Sequence, residues 1–198
     1  CLVGSEMCIR DSFQMGSAVN VLLHSAPVPV ALAPRGYSHP GPISRVTTFF
    51  GPRQGTSDVI AIGLDRARRR GIPLRLVSLV LSGESDMQGL GTDVPSALNA
   101  YANRKLADSA QHMLDAGHAT TEVASGKDVA AALEKLDWED GEIAVVGSSR
   151  MAVPGRLFLG TTASRMLRLI PVPMVVVPAG YMQAGEENNL LPKGGKNT

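Results

Sequence analysis

The chain has 198 residues, of which 44% are hydrophobic and 19% charged, enough to bury one ordinary core and a further fragment. The formal net charge is +1, so charge gives no reason to expect nucleic acid or an anionic membrane as a partner. No apolar run approaches the roughly 18 residues that a membrane span needs, and the first residues lack the pattern of a secretion signal. We therefore expect a cytoplasmic protein.

The opening segment, CLVGSEMCIRDS, contains both cysteines, Cys1 and Cys8. It has no counterpart elsewhere in the chain and resembles translated adaptor sequence, so we expect residues 1–12 not to be native. If the segment is native, a disulfide or a metal pair of these cysteines stays open. The four histidines have no second ligand at metal spacing, and no Ser-His-Asp or Cys-His pattern is present.

Residues 28–37, VPVALAPRGY, are nearly repeated by residues 172–181, VPMVVVPAGY. At the constant offset that pairs Gly16 with Gly160, the match keeps prolines, glycines and a tyrosine in register, and the period is a domain length. We therefore expect two copies of one domain, of which this chain holds the end of the first and all of the second. The expected segments are a first-copy remnant at 13–37, a linker at 38–42, a complete domain at 43–181 and a disordered tail at 182–198.

Short apolar runs alternate with helical patterns from residue 43 onward. In chain order we predict strand 45–51, a helix closed by Gly71, strand 73–81, a long helix between Asp93 and Gly117, strand 120–124, helix 127–136, strand 143–147, helix 160–169 and strand 172–177. This alternation implies a parallel sheet with helices on both faces. The arginines at 66–70 suit the last turns of a helix, which we favour over a nucleic-acid site. We expect Trp138 to pack a helix end against the sheet.

The stretch GSSRMAVPGRLFLGTT, residues 147–162, follows a buried strand. Ligands of such sheets lie beyond the carboxyl ends of strands, where the strand order reverses. Gly147 ends a strand, Gly155 lies in a loop, and a Gly-Thr-Thr sequence opens a helix at Gly160, Thr161 and Thr162. Glycine backbones and helix N-termini suit a phosphate, but any α/β domain also needs such glycines and hydroxyl caps structurally. Both interpretations stay open on these residues alone.

Residues 145–178, VVGSSRMAVPGRLFLGTTASRMLRLIPVPMVVVP, resemble the C-terminal signature of the universal stress protein family. Residues 16–34, GSAVNVLLHSAPVPVALAP, resemble the end of the same signature, as in tandem members. The resemblance implies a role in stress response. It also implies an α/β fold with an open five-stranded parallel sheet of order 3-2-1-4-5 and helices on both faces.

Many members of this family bind ATP through a glycine, two residues, a second glycine, nine residues, and then glycine with Ser or Thr. Gly147 matches the first glycine of that motif, while Gly160 and Thr161 match the last pair. Arg150 stands where the second glycine is expected. The resemblance thus implies ATP as the ligand, with a motif that departs from the family's pattern.

The remaining contacts to the nucleotide are also implied by the resemblance. Members that bind ATP usually carry an Asp at the end of the first strand, where this chain has Gly51. The backbone beside the adenine would fall near Leu79. Arg150 could pair with phosphate, fill the space a phosphate needs, or extend into solvent. The hydroxyl of Thr161 would bind phosphate or cap its helix.

Three functions are compatible with these residues. The first is a module that binds an adenine nucleotide without turnover, because no residue is placed to act as a general base. The second is a nucleotide-free dimerisation and interaction module. The third, an adenylating enzyme, has little support, since only Asp58 lies near the strand ends and it suits the first turn of a helix.

Copies of the domain meet at the fifth strand in this family, as a homodimer or as an intramolecular pseudo-dimer. An uncovered edge as apolar as residues 172–178 would expose unpaired amides. We therefore predict that residues 28–34 lie antiparallel against residues 172–178. The helical stretch 17–25 is expected to pack nearby.

Overall fold

A computed structural model of the chain describes residues 16–51, 56–81, 117–148 and 156–181. Within these ranges the helices are α1 (Ser17–Ser25), α2 (Thr56–Arg70), α3 (Val129–Leu133) and α4 (Thr161–Leu169). The strands are β1 (Val30–Leu32), β2 (Val46–Phe50), β3 (Leu74–Leu81), β4 (Ala119–Gly126), β5 (Ile143–Gly147) and β6 (Met174–Val177). The long helix predicted between Asp93 and Gly117 lies outside the described residues.

All six strands form a single sheet in the order β1-β6-β5-β2-β3-β4. Strands β2 to β6 pair in parallel with one another, which gives the predicted order 3-2-1-4-5. The predicted five-stranded parallel sheet is confirmed for these strands. Strand β1 adds a sixth strand, which runs antiparallel to β6 and covers its outer edge.

The core lies on both faces of the sheet, as side chains along β5 show. Ala144 and Val146 belong to a cluster with residues of α1, α3 and α4, whereas Val145 belongs to a second cluster with residues of α2. A strand that is covered on both faces favours apolar residues on both faces, and this explains the continuous run IAVVG. Helices on both faces are therefore confirmed.

Helix α2 lies close against β2 at Gly63. A Cβ atom added there would be 2.0 Å from Oγ1 of Thr48, a buried hydroxyl with no hydrogen-bond partner. Only glycine permits that approach. The helix ends before Gly71, whose φ of 63° is the left-handed conformation typical of a residue just past a helix. Its last turn carries Arg68, Arg69 and Arg70, all exposed, as the helix dipole favours.

Strand β1 pairs with β6 as predicted. Val30 lies opposite Val176, Ala31 opposite Val175 and Leu32 opposite Met174. The side chains of Val30 and Leu32 pack against the core, while Ala31 is exposed.

Helix α1 packs beside the same edge, as predicted. Its Leu23 has no exposed surface and belongs to the core cluster that also contains residues of α3, α4 and β6. The segment that contains α1 and β1 is therefore an integral part of the sheet and of its core.

A network of charged side chains occupies the amino ends of β2, β3 and β5. Glu142, immediately before β5, has no exposed surface. Its Oε2 accepts from Arg45 Nη2 at 2.7 Å, and its Oε1 accepts from Arg75 Nη2 at 2.8 Å. The hydroxyl of Thr47 and the backbone N–H of Glu139 also donate to this carboxylate. Buried charges persist only when paired and hydrogen-bonded in this way.

Trp138 closes this network on one side. Its indole N–H donates to the carbonyl of Leu133 at the end of α3, at 3.3 Å. The ring centroid lies 6.3 Å from that of Phe49 in β2 and 5.5 Å from the guanidinium carbon of Arg75. The prediction that Trp138 packs a helix end against the sheet is confirmed.

Among the residues that the structure describes, no helix is long and apolar enough to cross a membrane. The same residues contain no group of three or more His, Cys, Asp or Glu side chains arranged to hold a metal ion.

Candidate functional site

The candidate site lies at the carboxyl ends of the central strands. Strand β2 lies between β3 and β5 and pairs with both, so the chain order reverses at this point in the sheet. Gly51 follows β2 and Gly147 ends β5. Because parallel strands end at the same edge, the topology brings these two predicted residues to one edge of the sheet.

The two glycines differ in what surrounds them. A Cβ atom on Gly147 would be 2.8 Å from Cγ2 of Val59 in α2, so close packing of a helix is sufficient reason for glycine there. A Cβ atom on Gly51 would have no neighbour within 4 Å among the described residues. Packing against these residues therefore does not explain why this chain lacks the Asp expected at residue 51.

Leu79 lies in β3, on the side of the sheet centre opposite to β5. It pairs with Ala124 of β4, and its half-buried side chain packs against the core cluster that contains Phe49. Its role beside a nucleotide base stays a prediction.

Helix α4 supplies the third part of the candidate site. Gly160 is its N-cap, with extended backbone at φ −73° and ψ 170°, and, having no side chain, it makes no side-chain capping bond. Thr161 is exposed and Thr162 is half-buried. The backbone N–H of Ser164 donates to the Gly160 carbonyl at 2.9 Å, so the three preceding N–H groups have no partner within the helix.

The suggestion that the Thr161 hydroxyl caps its helix is wrong. Thr161 is the first helical residue, and the capping position belongs to Gly160. The other candidates, Arg150 and Gly155, lie outside the described residues.

Sequence reasoning missed the residues that hold the backbone just before α4. The Ser148 hydroxyl donates to the Phe158 carbonyl at 3.0 Å and accepts from the Phe158 N–H at 2.7 Å. The N–H of Leu157 donates to the Ala26 carbonyl at 2.8 Å, and that of Leu159 to the Leu23 carbonyl at 3.1 Å. We call residues 157–159 the braced segment. One signal for this contact was available in the sequence, because Ser148, which binds the braced segment, directly follows a buried strand.

Comparison with family models shows to which family the chain belongs. Residues 51–178 match the model of the universal stress protein family, which is more than half of the chain. The chain belongs to this family. The resemblance noted from residues 145–178 is thereby confirmed.

Curated members of the universal stress protein family include similar proteins from mycobacteria. Universal stress proteins of Mycobacterium tuberculosis and Mycobacterium bovis are each 32% identical to this chain over 176 residues, covering 85% of it. The chain spans 60% of the length of these relatives.

Solved structures of the family share the fold. A universal stress protein from Archaeoglobus fulgidus matches with a TM-score of 0.60 and 19% identity, over 86% of this chain and 58% of that one. A putative universal stress protein from Pseudomonas aeruginosa matches with a TM-score of 0.52 and 16% identity, over 93% of this chain and 64% of that one. At these identities the likeness concerns the fold alone.

Proposed function

We propose that this chain is a non-catalytic universal stress protein module of the stress response that binds an adenine nucleotide, with ATP as the ligand. The observation that carries the proposal is the position of Gly147 and of the Gly160-Thr161 pair in a member of this family. The first ends a strand at the point of reversed order, and the second opens a helix with free backbone donors.

The described residues fit the phosphate side of ATP better than the ribose side. The first turn of α4 offers N–H groups, the positive end of a helix dipole and the exposed Thr161 hydroxyl to an anion. Leu79 would lie beside the base. Residue 51 is Gly and carries no carboxylate, so the ribose hydroxyls would lack their usual acceptor. We infer a site that binds ATP more weakly than members with the complete motif.

Turnover is not part of the proposal. Asp58, the acidic residue named as a possible base, lies in the first turn of α2 and is only 8% exposed. A carboxylate at that position stabilises its own helix through the dipole.

Isothermal titration of ATP into the full chain tests the proposal. We expect a measurable dissociation constant, and one near or below a micromolar would mean that the incomplete motif suffices. No heat of binding up to millimolar ATP would contradict it.

Gly51→Asp should tighten binding, because it supplies the carboxylate that the ribose hydroxyls would otherwise lack. Gly51→Ala is the matched control and should leave affinity unchanged.

Arg150 is tested by a separate variant. If its side chain fills the phosphate space, Arg150→Gly tightens ATP binding, whereas pairing with phosphate makes the same change weaken it. Equal affinity before and after the change would contradict both roles.

A second candidate, a nucleotide-free interaction module, is favoured by the uneven burial of the repeat. At the offset that pairs Gly16 with Gly160, Leu22 corresponds to Met166 and Val28 to Val172. Leu22 and Val28 are 48% and 53% exposed, whereas Met166 and Val172 are 3% and 5% exposed. We propose that residues 13–37 are the end of a first copy of the domain. In that first copy, the sheet to which these residues belong would cover Leu22 and Val28.

Self-association of the chain without nucleotide tests the second candidate function. If exposed apolar residues of α1 form an interface, sedimentation velocity should show oligomers without nucleotide, and Leu22→Asp should shift them to monomers. Asn20→Asp on the same helix is the control. A monomer at all concentrations would contradict this role for the chain.

A further inference from the structure

The braced segment is held from two sides by parts of the molecule that are distant in sequence. On one side, the Ser148 hydroxyl closes on residue 158 with both of its hydrogen bonds. On the other side, the N–H groups of Leu157 and Leu159 donate to carbonyls of Ala26 and Leu23. Within the braced segment, Phe158 is therefore hydrogen-bonded to Ser148, just after β5. Its two neighbours, Leu157 and Leu159, are hydrogen-bonded to the C-terminal end of α1.

These bonds satisfy groups that the helix itself leaves unpaired. The last carbonyls of an α-helix have no partner within it, and the Leu23 and Ala26 carbonyls are at that end of α1. The contact is also packed, since Leu23, Leu157 and Leu159 are at most 4% exposed. The rings of His24 and Phe158 meet edge to face at 5.1 Å. Hydrogen bonds beside these buried leucines hold the backbone closely.

The braced segment leads directly into the site. Leu159 precedes Gly160, the N-cap of α4, whose first N–H groups are the proposed phosphate donors. We propose that Leu23, His24 and Ala26 are positioning residues for the nucleotide site, acting through the braced segment on the start of α4. This inference rests on the proposed nucleotide binding. It adds that α1, the end of the other copy of the domain, sets the affinity.

Coupling of this kind is reciprocal. If the α1 contact favours the ATP-binding arrangement of the braced segment, bound ATP must favour the α1 contact by the same factor, typically about 5-fold to 150-fold in other proteins. Nucleotide in one domain would thus be reported to its neighbour through α1.

Titration of ATP into three variants of the full chain tests the inference. We expect His24→Ala, and more strongly Leu23→Ala, to weaken ATP binding about five-fold or more. Val21→Ala, on the same helix and 63% exposed, should bind like the unaltered chain. His24 is exposed, so its variant keeps the fold if Leu23→Ala does not. Circular dichroism at the titration temperature establishes that each variant is folded.

Hydrogen exchange gives a readout that a purely structural role of α1 would not change. The Ala26 N–H donates to the Leu22 carbonyl at 3.0 Å, and its exchange should slow when ATP is added to the unaltered chain. Equal ATP affinity in His24→Ala and Val21→Ala, with no effect of ATP on that exchange, would overturn this inference and leave the proposed function standing. Failure of the unaltered chain to bind ATP would overturn both.

Discussion

The side chain of Glu142 accepts hydrogen bonds from several groups at once. Its carboxylate has no exposed surface and accepts hydrogen bonds from Arg45 and Thr47 at the start of β2 and from Arg75 at the start of β3. Arg75 also donates to the Asp137 carbonyl at 2.9 Å and to Thr47 Oγ1 at 3.0 Å. Removing one member of such a group leaves the others buried without compensation.

Replacing Glu142 therefore tests how much the network stabilises the fold. Glu142→Gln keeps the shape but removes the buried counter-charge of Arg45 and Arg75, whose other acidic partners, Glu139 and Glu122, are exposed, and should lower the free energy of unfolding by about 3 kcal/mol. Glu139→Gln is the control, because its side chain is 48% exposed and its ion pair with Arg45 is worth about 1 kcal/mol or less. Urea unfolding of both variants gives the comparison. Similar losses would mean that burial of Glu142 adds nothing.

A second residue-scale prediction concerns the contact between α2 and β2. Gly63→Ala places a methyl group against Thr48, so either the helix moves outward or the threonine shifts, at about 1 to 3 kcal/mol. Gly51→Ala has no described neighbour within 4 Å of its Cβ and should change stability by less than about 0.5 kcal/mol. Thermal unfolding of the two variants checks the difference, and a fully stable Gly63→Ala protein would contradict the close approach.

At the scale of single elements, a variant at the start of helix α4 tests capping and ligand binding by Thr161 separately. Because the N-cap is Gly160, which makes no side-chain capping bond, Thr161→Val should change the free energy of unfolding by less than about 0.5 kcal/mol. If phosphate lies at the helix start, the same variant should weaken ATP binding, since a donor is lost. A stability loss near 1 kcal/mol would show that the hydroxyl does cap the helix.

Most of these elements could be predicted because each has a local pattern. The run IAVVG predicts β5 to its last residue, and Gly71 marks the end of α2. The charged network could not be predicted, since Arg45, Arg75 and Glu142 are each ordinary charges in their own neighbourhood. One signal was available in LRLVSLVL, where Arg75 interrupts a buried strand and therefore requires a partner.

The candidate site was predictable only in part for the same physical reason. Gly147, Gly160 and Thr161 stand in a linear motif whose spacing is visible in the sequence. The partners of the braced segment come from α1, more than a hundred residues earlier, and bind it through backbone carbonyls. Backbone groups carry no side-chain signature, so no residue pattern announces such a contact.

At the scale of the whole molecule, β1 decides what can reach the edge of the sheet. While β1 pairs with β6, a second copy cannot add its own strand there. Leu32→Asp places a charge on the core side of β1, at a cost of about 1.5 kcal/mol or more in lost burial, and should free that edge. We expect increased self-association in sedimentation velocity. Ala31→Asp, on the exposed side, should behave like the unaltered chain.

The buried charges and the candidate site lie at opposite ends of the same strands. Side chains that precede β2 and β5, together with Arg75 at the start of β3, form the network, whereas Gly51 and Gly147 follow the other ends. Substitutions at the carboxyl ends of the strands thus leave the main polar anchor of the fold untouched. A lineage could change this edge of the sheet by neutral drift without passing through an unfolded intermediate. Gly51, whose Cβ position has no neighbour within 4 Å among the described residues, is one position at which such a change would be tolerated.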